Sequence, residues 1–248
     1  MKKLALPRLM LSAGILLLMA PAAIGQDAPQ LYKTTLVQAA PGKIGELISL
    51  YKKRFASDAR IAAPAPMWMR HSQGDQWDLL LLTPVGSYLD YYSPERIATR
   101  QQSERSERWR EQFAALIAWQ EDVYVYGPPM EELRKAFAAG GFFHVEMFVA
   151  LAGKHAELRR QREMENAYLK SLGRPQNFIF VRDQGAAWDL FTIGIYRDLK
   201  HYAESADLPQ EKQEAAAKAA GFSSASDIGP YLRTLIRTHH DTLCGPVK

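Results

Sequence analysis

The chain repeats part of its own sequence. Residues 31–92 align without a gap with residues 142–203 at a constant offset of 111, and 13 of these 62 positions are identical. The identities include the motif Gln-Gly-x-x-Trp-Asp-Leu, which occurs at residues 73–79 and again at residues 184–190. Such self-similarity predicts that two parts of the chain form the same structural unit. It constrains the architecture far more than the chemistry.

The first 25 residues have the features of a signal peptide. Three basic residues precede a Leu- and Ala-rich stretch over residues 9–20, and small residues lead up to a cleavage site after Gly25. The apolar stretch is short for a membrane span of about 20 residues. We therefore predict a periplasmic or secreted protein that has no stable membrane anchor after cleavage.

Charge and cysteine content exclude several classes of site. Removal of the leader takes away three basic residues and no acidic one, so the formal net charge falls from +4 to +1. A near-neutral chain lacks the basic stripe that nucleic-acid binding needs. Cys244 is the only cysteine, which excludes an internal disulfide and a cysteine-based metal site and leaves a buried thiol or an intermolecular link. No metal site is predicted, because His239 and His240 lack the i, i+4 spacing of a helical one.

The sequences of the two halves predict the same first four secondary-structure elements. Hydrophobic alternation, glycine turns and prolines at residues 64 and 175 indicate a strand, a helix and a two-stranded hairpin. In the first half these elements are predicted at residues 31–39, 43–57, 66–71 and 76–83. In the second half they are predicted at residues 142–150, 154–171, 177–182 and 187–195.

The end of each half predicts one more helix and one more strand. In the first half, Ser93 is the expected N-cap of a helix that continues to about Trp119, and a strand follows over residues 123–126. The second half ends similarly, with eight extra residues expected within 204–228. The predicted domains are therefore a first repeat at 30–127, a linker at 128–140 and a second repeat at 141–247.

The predicted element order in each half is β-α-β-β-α-β, the ferredoxin-like arrangement of the α+β class. Helices cover only one face of such a sheet, and a second copy can bury the other face. With the Pro-Gly-Lys and Ala-Gly-Lys turns and the Trp-Asp-Leu strands, this order resembles the dimeric α/β-barrel superfamily over nearly all of residues 30–247. The resemblance implies two tandem repeats that form an intramolecular α/β barrel, either NIPSNAP-like or monooxygenase-like. It transfers no catalytic residue, because no catalytic motif of these groups is matched.

The first strand of the second repeat carries the candidate catalytic residues. Alternation is expected to place the apolar set under the helices and His144, Glu146 and Phe148 towards the other sheet. A histidine and a carboxylate two positions apart on a strand can couple electrostatically and raise the imidazole pKa, which favours an acid/base pair. The alternative is a structural pair in which both groups are satisfied.

Phe148 on the same strand and four residues elsewhere are candidates for ligand binding. Only one of Arg70 and His71 can face the interior, and an arginine there could bind an anionic substrate or form a buried ion pair. Asp78 and Asp189 are expected to point between the sheets, or to accept hydrogen bonds from the backbone. The preceding tryptophans, Trp77 and Trp188, are expected to pack beneath the helices.

Three functions fit these patterns. The first is an exported protein that binds a small apolar or aromatic ligand, with the Met67-Trp68-Met69 run lining its pocket. The second is a monooxygenase-like or haem-binding enzyme in which His144 is the axial ligand or base. The third is a structural or protein-interaction module that uses the polar helix over residues 96–110. The cofactor, the oligomeric state and the presence of catalytic activity are left open.

Overall fold

A computed structural model describes residues 30–58, 65–104, 107–185 and 188–247. The predicted signal peptide and the turn at Pro64 lie outside these residues. Among the described helices, none is long and apolar enough to cross a membrane.

The first half contains four strands and four helices within the described residues. They are β1 (Gln30–Ala39), α1 (Ile44–Asp58), β2 (Met67–Gln73), β3 (Leu79–Gly86), α2 (Tyr88–Tyr91), α3 (Pro94–Glu104), α4 (Glu107–Ala114) and β4 (Ile117–Gly127). The predicted helix up to Trp119 was wrong at its end, because Trp119 lies in β4 and pairs with Gln38 of β1. The predicted fourth strand therefore begins six residues too late.

The second half repeats the strand order and has a more elaborate helical region. Its elements are β5 (Phe142–Ala150), α6 (His155–Ser171), β6 (Phe178–Gln184), β7 (Leu190–Tyr196), α7 (Leu199–Ala203), α8 (Gln210–Ala219), α9 (Ile228–Arg233) and β8 (Ile236–Pro246). A further helix, α5 (Met130–Ala139), lies within the segment predicted as the linker. The segment where extra residues were expected holds α8.

The eight strands close into one antiparallel barrel. The strand order around it is β1-β3-β2-β8-β5-β7-β6-β4, and β4 pairs again with β1. Each half contributes four adjacent strands, and the halves meet where β2 pairs with β8 and where β4 pairs with β6. The fold is therefore of the mixed α+β class, with an antiparallel sheet and helices outside it.

Hydrogen bonds recur at positions 111 residues apart. Asp78 N–H donates to the carbonyl of Val37 at 2.8 Å, and Asp189 N–H donates to that of Phe148 at the same distance. The turns that enter α1 and α6 also match, because Gly42 and Gly153 both have φ of 77°, a left-handed conformation that favours glycine. The identical aspartates and glycines therefore form the same backbone hydrogen bonds and turns in the two halves.

The barrel interior is filled by apolar side chains from both halves. Trp77 and Trp188 lie in this interior core together with Met69, Phe180 and Cys244. The prediction that the tryptophans pack beneath the helices was wrong. Both residues precede the first residue of their strand, so the alternation of side chains along the strand does not determine where they point. Cys244 is buried there as a free thiol, and burial raises its pKa.

Helix α5 is not part of the sheet, but its apolar side chains pack on the interior core of the barrel. Leu133 is fully buried in the interior core, and the Phe137 ring stacks on Phe143 with a centroid distance of 5.0 Å. Two smaller apolar clusters lie on the outer face, one under α1 and one under α6. The helices therefore cover the outside of the barrel, and α5 packs on its core.

Candidate functional site

The two faces of β5 are the reverse of the prediction. Phe143, Val145 and Met147 point into the barrel interior, whereas Phe148 packs with Leu158 of α6 on the outer face. His144 and Glu146 alternate with the interior set, so they also face outward. The prediction that they face the other sheet was wrong, because a charged partner on α6 accommodates Glu146 on the helix-covered side.

That partner belongs to a polar cluster between α6 and the sheet, which is largely buried except at the exposed Asp241. The cluster contains His144, Glu146, Arg162, Glu165, Thr192, His239 and Asp241. Arg162 Nη1 lies 3.4 Å from Glu146 Oε2, and Arg162 Nη2 donates to Glu165. The Thr192 hydroxyl donates to the same Glu146 oxygen at 3.1 Å. Two carboxylates therefore share one guanidinium in a largely dry space.

The histidines of the cluster are joined through Asp241. His144 Nε2 lies 3.3 Å from one Asp241 oxygen, and His239 Nε2 lies 3.0 Å from the other. Arg233 Nη1 donates to His239 Nδ1 at 2.6 Å, so the His239 proton is on Nε2 and faces Asp241. The Tyr202 ring covers His144 at a centroid distance of 5.3 Å.

The surroundings shift the protonation equilibria of three cluster members. Burial lowers the pKa of His144, but the bond to Asp241 and the charge of Glu146 outweigh it, so the net pKa is raised. The hydrogen bond from His144 lowers the pKa of Asp241 more than burial raises it. Burial raises the pKa of Glu165 against the opposing charge of Arg162. The cluster thus favours an imidazolium facing a carboxylate, which is a stable charge pair.

Asp78 and Asp189 accept hydrogen bonds from the backbone at the end of each repeat's first strand. Ala39 N–H donates to Asp78 at 2.8 Å, and Ala150 N–H donates to Asp189 at 2.9 Å. Asp189 also accepts from Arg182. In the described contacts, both carboxylates therefore stabilise the backbone at the end of a strand.

Arg70 and His71 separate onto opposite faces of β2. His71 lies two residues after the interior residue Met69 and shares its face of β2, and its ring lies 5.9 Å from that of Trp77. Arg70 is exposed on the outer side. The structure thus brings His144, Glu146 and Phe148 together and leaves Arg70, His71 and Asp78 elsewhere.

A groove of about 990 Å³ lies between α5, α6 and the β6–β7 hairpin, and we call it the α5–α6 groove. Ile179, Val181 and Ile195 supply apolar lining. None of the seven predicted site residues, all of which the structure describes, lines it. The groove is therefore a second and separate feature beside the buried polar cluster.

Polar groups of the groove lie on its helical walls and at its base. Glu132 projects from α5, and Arg159 and Glu163 of α6 form an ion pair at 3.0 Å. The Asn177 Oδ1 atom is buried beside the groove and has no hydrogen-bond partner among the described residues. A buried acceptor without a partner is unfavourable, so a donor on a bound molecule can stabilise it.

Two histidines could be considered for a haem or metal. The Arg197 N–H donates to His201 Nδ1 at 3.2 Å in the groove wall, which fixes the proton on Nε2 and removes the lone pair that iron needs. His144 Nε2 is engaged by Asp241. Within the described part of the chain, no group of three His, Cys, Asp or Glu side chains could hold a metal ion. As arranged, neither of these two histidines offers a free nitrogen to haem iron, whereas His71 Nε2 is buried and has no hydrogen-bond partner among the described residues.

Sequence reasoning missed the α6 residues of the cluster and the whole groove. A signal for the first was present, because Leu158, Arg162 and Glu165 recur at helical spacing and share one face. The groove has no comparable signal, since its walls come from elements far apart in the chain.

Comparison with known proteins supports the architecture. No protein-family model and no curated protein sequence matches the chain. An anthrone oxidase-like protein is similar over 89% of this chain and 92% of its own, with 13% identity and a TM-score of 0.52. Strand order and this similarity together decide the fold. The chain has the dimeric α/β-barrel fold.

Two monooxygenase-like proteins have the same fold. The one from Fusobacterium nucleatum covers 89% of this chain and 94% of its own, with 8% identity and a TM-score of 0.53. The one from Lactobacillus acidophilus covers 88% and 93%, with 7% identity and a TM-score of 0.51. At these identities the three structures show the fold alone, and none of their names supports the NIPSNAP-like prediction.

Proposed function

We propose that this protein binds a small aromatic ligand in the α5–α6 groove. The observation that carries the proposal is the groove itself, whose volume of about 990 Å³ is at the upper end of small-molecule sites. Apolar side chains line it and charged groups lie on its helical walls, which suits an organic ring with a few polar substituents.

The ligand we expect carries a hydroxyl or amine. Asn177 presents a buried Oδ1 that no described group satisfies, while its backbone N–H and C=O are both bound to the Asn166 side chain at 2.7 and 2.8 Å. The backbone bonds fix the main chain, and because Oδ1 has almost no exposed surface, we propose that the side chain rotates to accept a donor from the ligand. The proposed ligand is therefore a phenol-like or aniline-like molecule.

Export and gene duplication complete the proposal. The sequence features of residues 1–25 support an exported protein. The repeated bonds at Asp78 and Asp189, together with the gapless sequence match, support an origin of the two halves by duplication of one ferredoxin-like unit. A monooxygenase-like activity is the alternative, suggested by the names of the similar structures. With identities of 13% and below, those names do not carry over to this chain.

A pair of probes tests the proposed ligand class. We expect 2-naphthol to bind more tightly than 2-methoxynaphthalene, which lacks the donor, in fluorescence titrations of the purified protein. Asn177→Ala should remove most of this difference, about two- to tenfold for one hydrogen bond. Gln176→Ala, at an exposed neighbouring position of the groove, is the matched control and should preserve it. Failure of both probes to bind, or an unchanged preference in Asn177→Ala, overturns the proposal.

A further inference from the structure

Four tyrosines form a compact cluster on the outside of the first half. Tyr88, Tyr91 and Tyr92 come from α2 and its end, and Tyr124 comes from β4. Tyr91 meets Tyr92 and Tyr124 edge to face at centroid distances of 5.1 and 5.9 Å. Tyr88 lies 5.8 Å from Tyr124 and nearly parallel to Tyr92 at 6.3 Å. We call these four residues the tyrosine cluster.

The tyrosine cluster presents aromatic and apolar surface to solvent. Tyr92 is 57% exposed, and the adjacent Leu89 is 85% exposed. In the second half, Tyr202 stands 111 residues after Tyr91, and it packs against His144 and Tyr196. Tyr91 and Tyr202 are both half-buried, so the difference between the halves lies at Tyr92, whose counterpart is Ala203, and its exposed ring indicates a surface that another molecule can cover.

Carboxylates surround the open rings. Tyr88 donates its hydroxyl to Asp183 of β6 at 2.6 Å, across the junction of the two halves. Asp90 lies on α2 itself and accepts from Ser87 at 2.6 Å. Within the described residues, neither carboxylate forms an ion pair with a Lys, Arg or His side chain. The surface therefore combines π faces, two carboxylates outside any described ion pair and one cation, Arg100, on the Tyr91 ring.

One face of the cluster already holds a cation. The Arg100 guanidinium carbon lies 3.8 Å from the centroid of the Tyr91 ring. Ring faces carry negative electrostatic potential and attract ammonium and guanidinium groups. The exposed Tyr92 ring offers a second site of the same kind that is open to a ligand.

We infer that the tyrosine cluster binds an organic ammonium ion, such as a quaternary or methylated amine. The rings would contact its methyl groups, and Asp183 and Asp90 would supply the long-range attraction. A neutral molecule of the same shape would gain only the apolar contact, and an anion would be repelled by the carboxylates. This site is separate from the α5–α6 groove and does not depend on the function proposed for it.

Choline and its neutral isostere 3,3-dimethylbutan-1-ol test the inference. In NMR titrations of the full protein, choline should bind measurably tighter than the alcohol and shift tyrosine ring resonances. Tyr92→Ala should weaken choline binding about two- to fivefold, as expected for an exposed cation–π contact. Asp183→Asn should weaken it and reduce its salt dependence.

Two variants serve as controls. Leu199→Ala removes an exposed side chain at the position matched to Tyr88 and should leave choline binding unchanged. Tyr92→Phe keeps the ring and should retain it. Equal affinity for choline and the alcohol, or full choline affinity in both Tyr92→Ala and Asp183→Asn, would overturn the inference.

Discussion

The guanidinium of Arg162 lies 3.4 Å from the carboxylate of Glu146, and only 2% and 13% of the two side chains are exposed. Glu165 contacts the same guanidinium. Removal of the cation would leave two carboxylates in a space that water barely reaches. Arg162 therefore makes the outward, helix-covered position of Glu146 possible.

Arg162→Ala should destabilise the fold strongly. Loss of one partner from a buried ion pair costs about 3–5 kcal/mol, because the remaining charge is left uncompensated. Arg159→Ala on the same helix removes an exposed pair with Glu163 and should cost at most about 1 kcal/mol. Urea unfolding of both variants makes the comparison. Equal free energies of unfolding in the two variants would show that the cluster is not a buried charge network.

The His144 side chain should make stability depend on pH. Its folded pKa is raised above the ordinary value of 6.5, so the imidazolium contributes stability that is complete below about pH 6.5. This contribution is lost as the pH rises through the folded pKa. Glu165, whose pKa is also raised, changes stability in the same direction with rising pH.

The His144 contribution can be isolated by substitution. His144→Gln should flatten the fall in the free energy of unfolding that occurs as the pH rises above about 6.5. Measurements above pH 5.5 keep Asp241 ionised, because its pKa is lowered. An NMR titration that gave His144 a pKa below 6.5 would contradict the assignment.

Gly74 should tolerate no side chain. Its φ is 125°, and an added Cβ would overlap the backbone carbonyl oxygen of Asp241 where the β2–β3 hairpin meets β8. Gly74→Ala is expected to cost at least about 2 kcal/mol, because the clash adds to a strained φ. Gly42→Ala, at φ of 77° in open space, should cost about 1 kcal/mol. Thermal unfolding that ranked the two variants in the opposite order would refute the close packing of this junction.

Much of the strand arrangement could be predicted from the sequence, because its signals are local. Glycine turns such as those at Gly42 and Gly153 and the alternation of β1 and β5 fix where these elements begin and end. The length of β4 was not predictable from alternation, because Ile117 and Trp119 continue the apolar spacing of the helix that precedes them.

The faces of β5 could not be predicted from β5 alone. Hydrophobicity separates the apolar set from His144 and Glu146, but it does not tell whether the apolar set faces the helices or the barrel interior. The choice depends on Arg162, sixteen residues away on α6, which neutralises Glu146 outside the barrel. The α5–α6 groove was equally hidden, because Asn177 and Glu132 come together only after α5 packs on the barrel core.

The most direct test of ligand binding in the groove is to fill it. Ala136 of α5 lines the groove, whereas Ala138, two residues along the same helix, is exposed outside it. The affinity for 2-naphthol should fall about tenfold or more in Ala136→Trp and stay at the wild-type value in Ala138→Trp, with both variants folded by circular dichroism. An unchanged affinity in Ala136→Trp, or equal losses in the two variants, would contradict the claim that this groove is the ligand site.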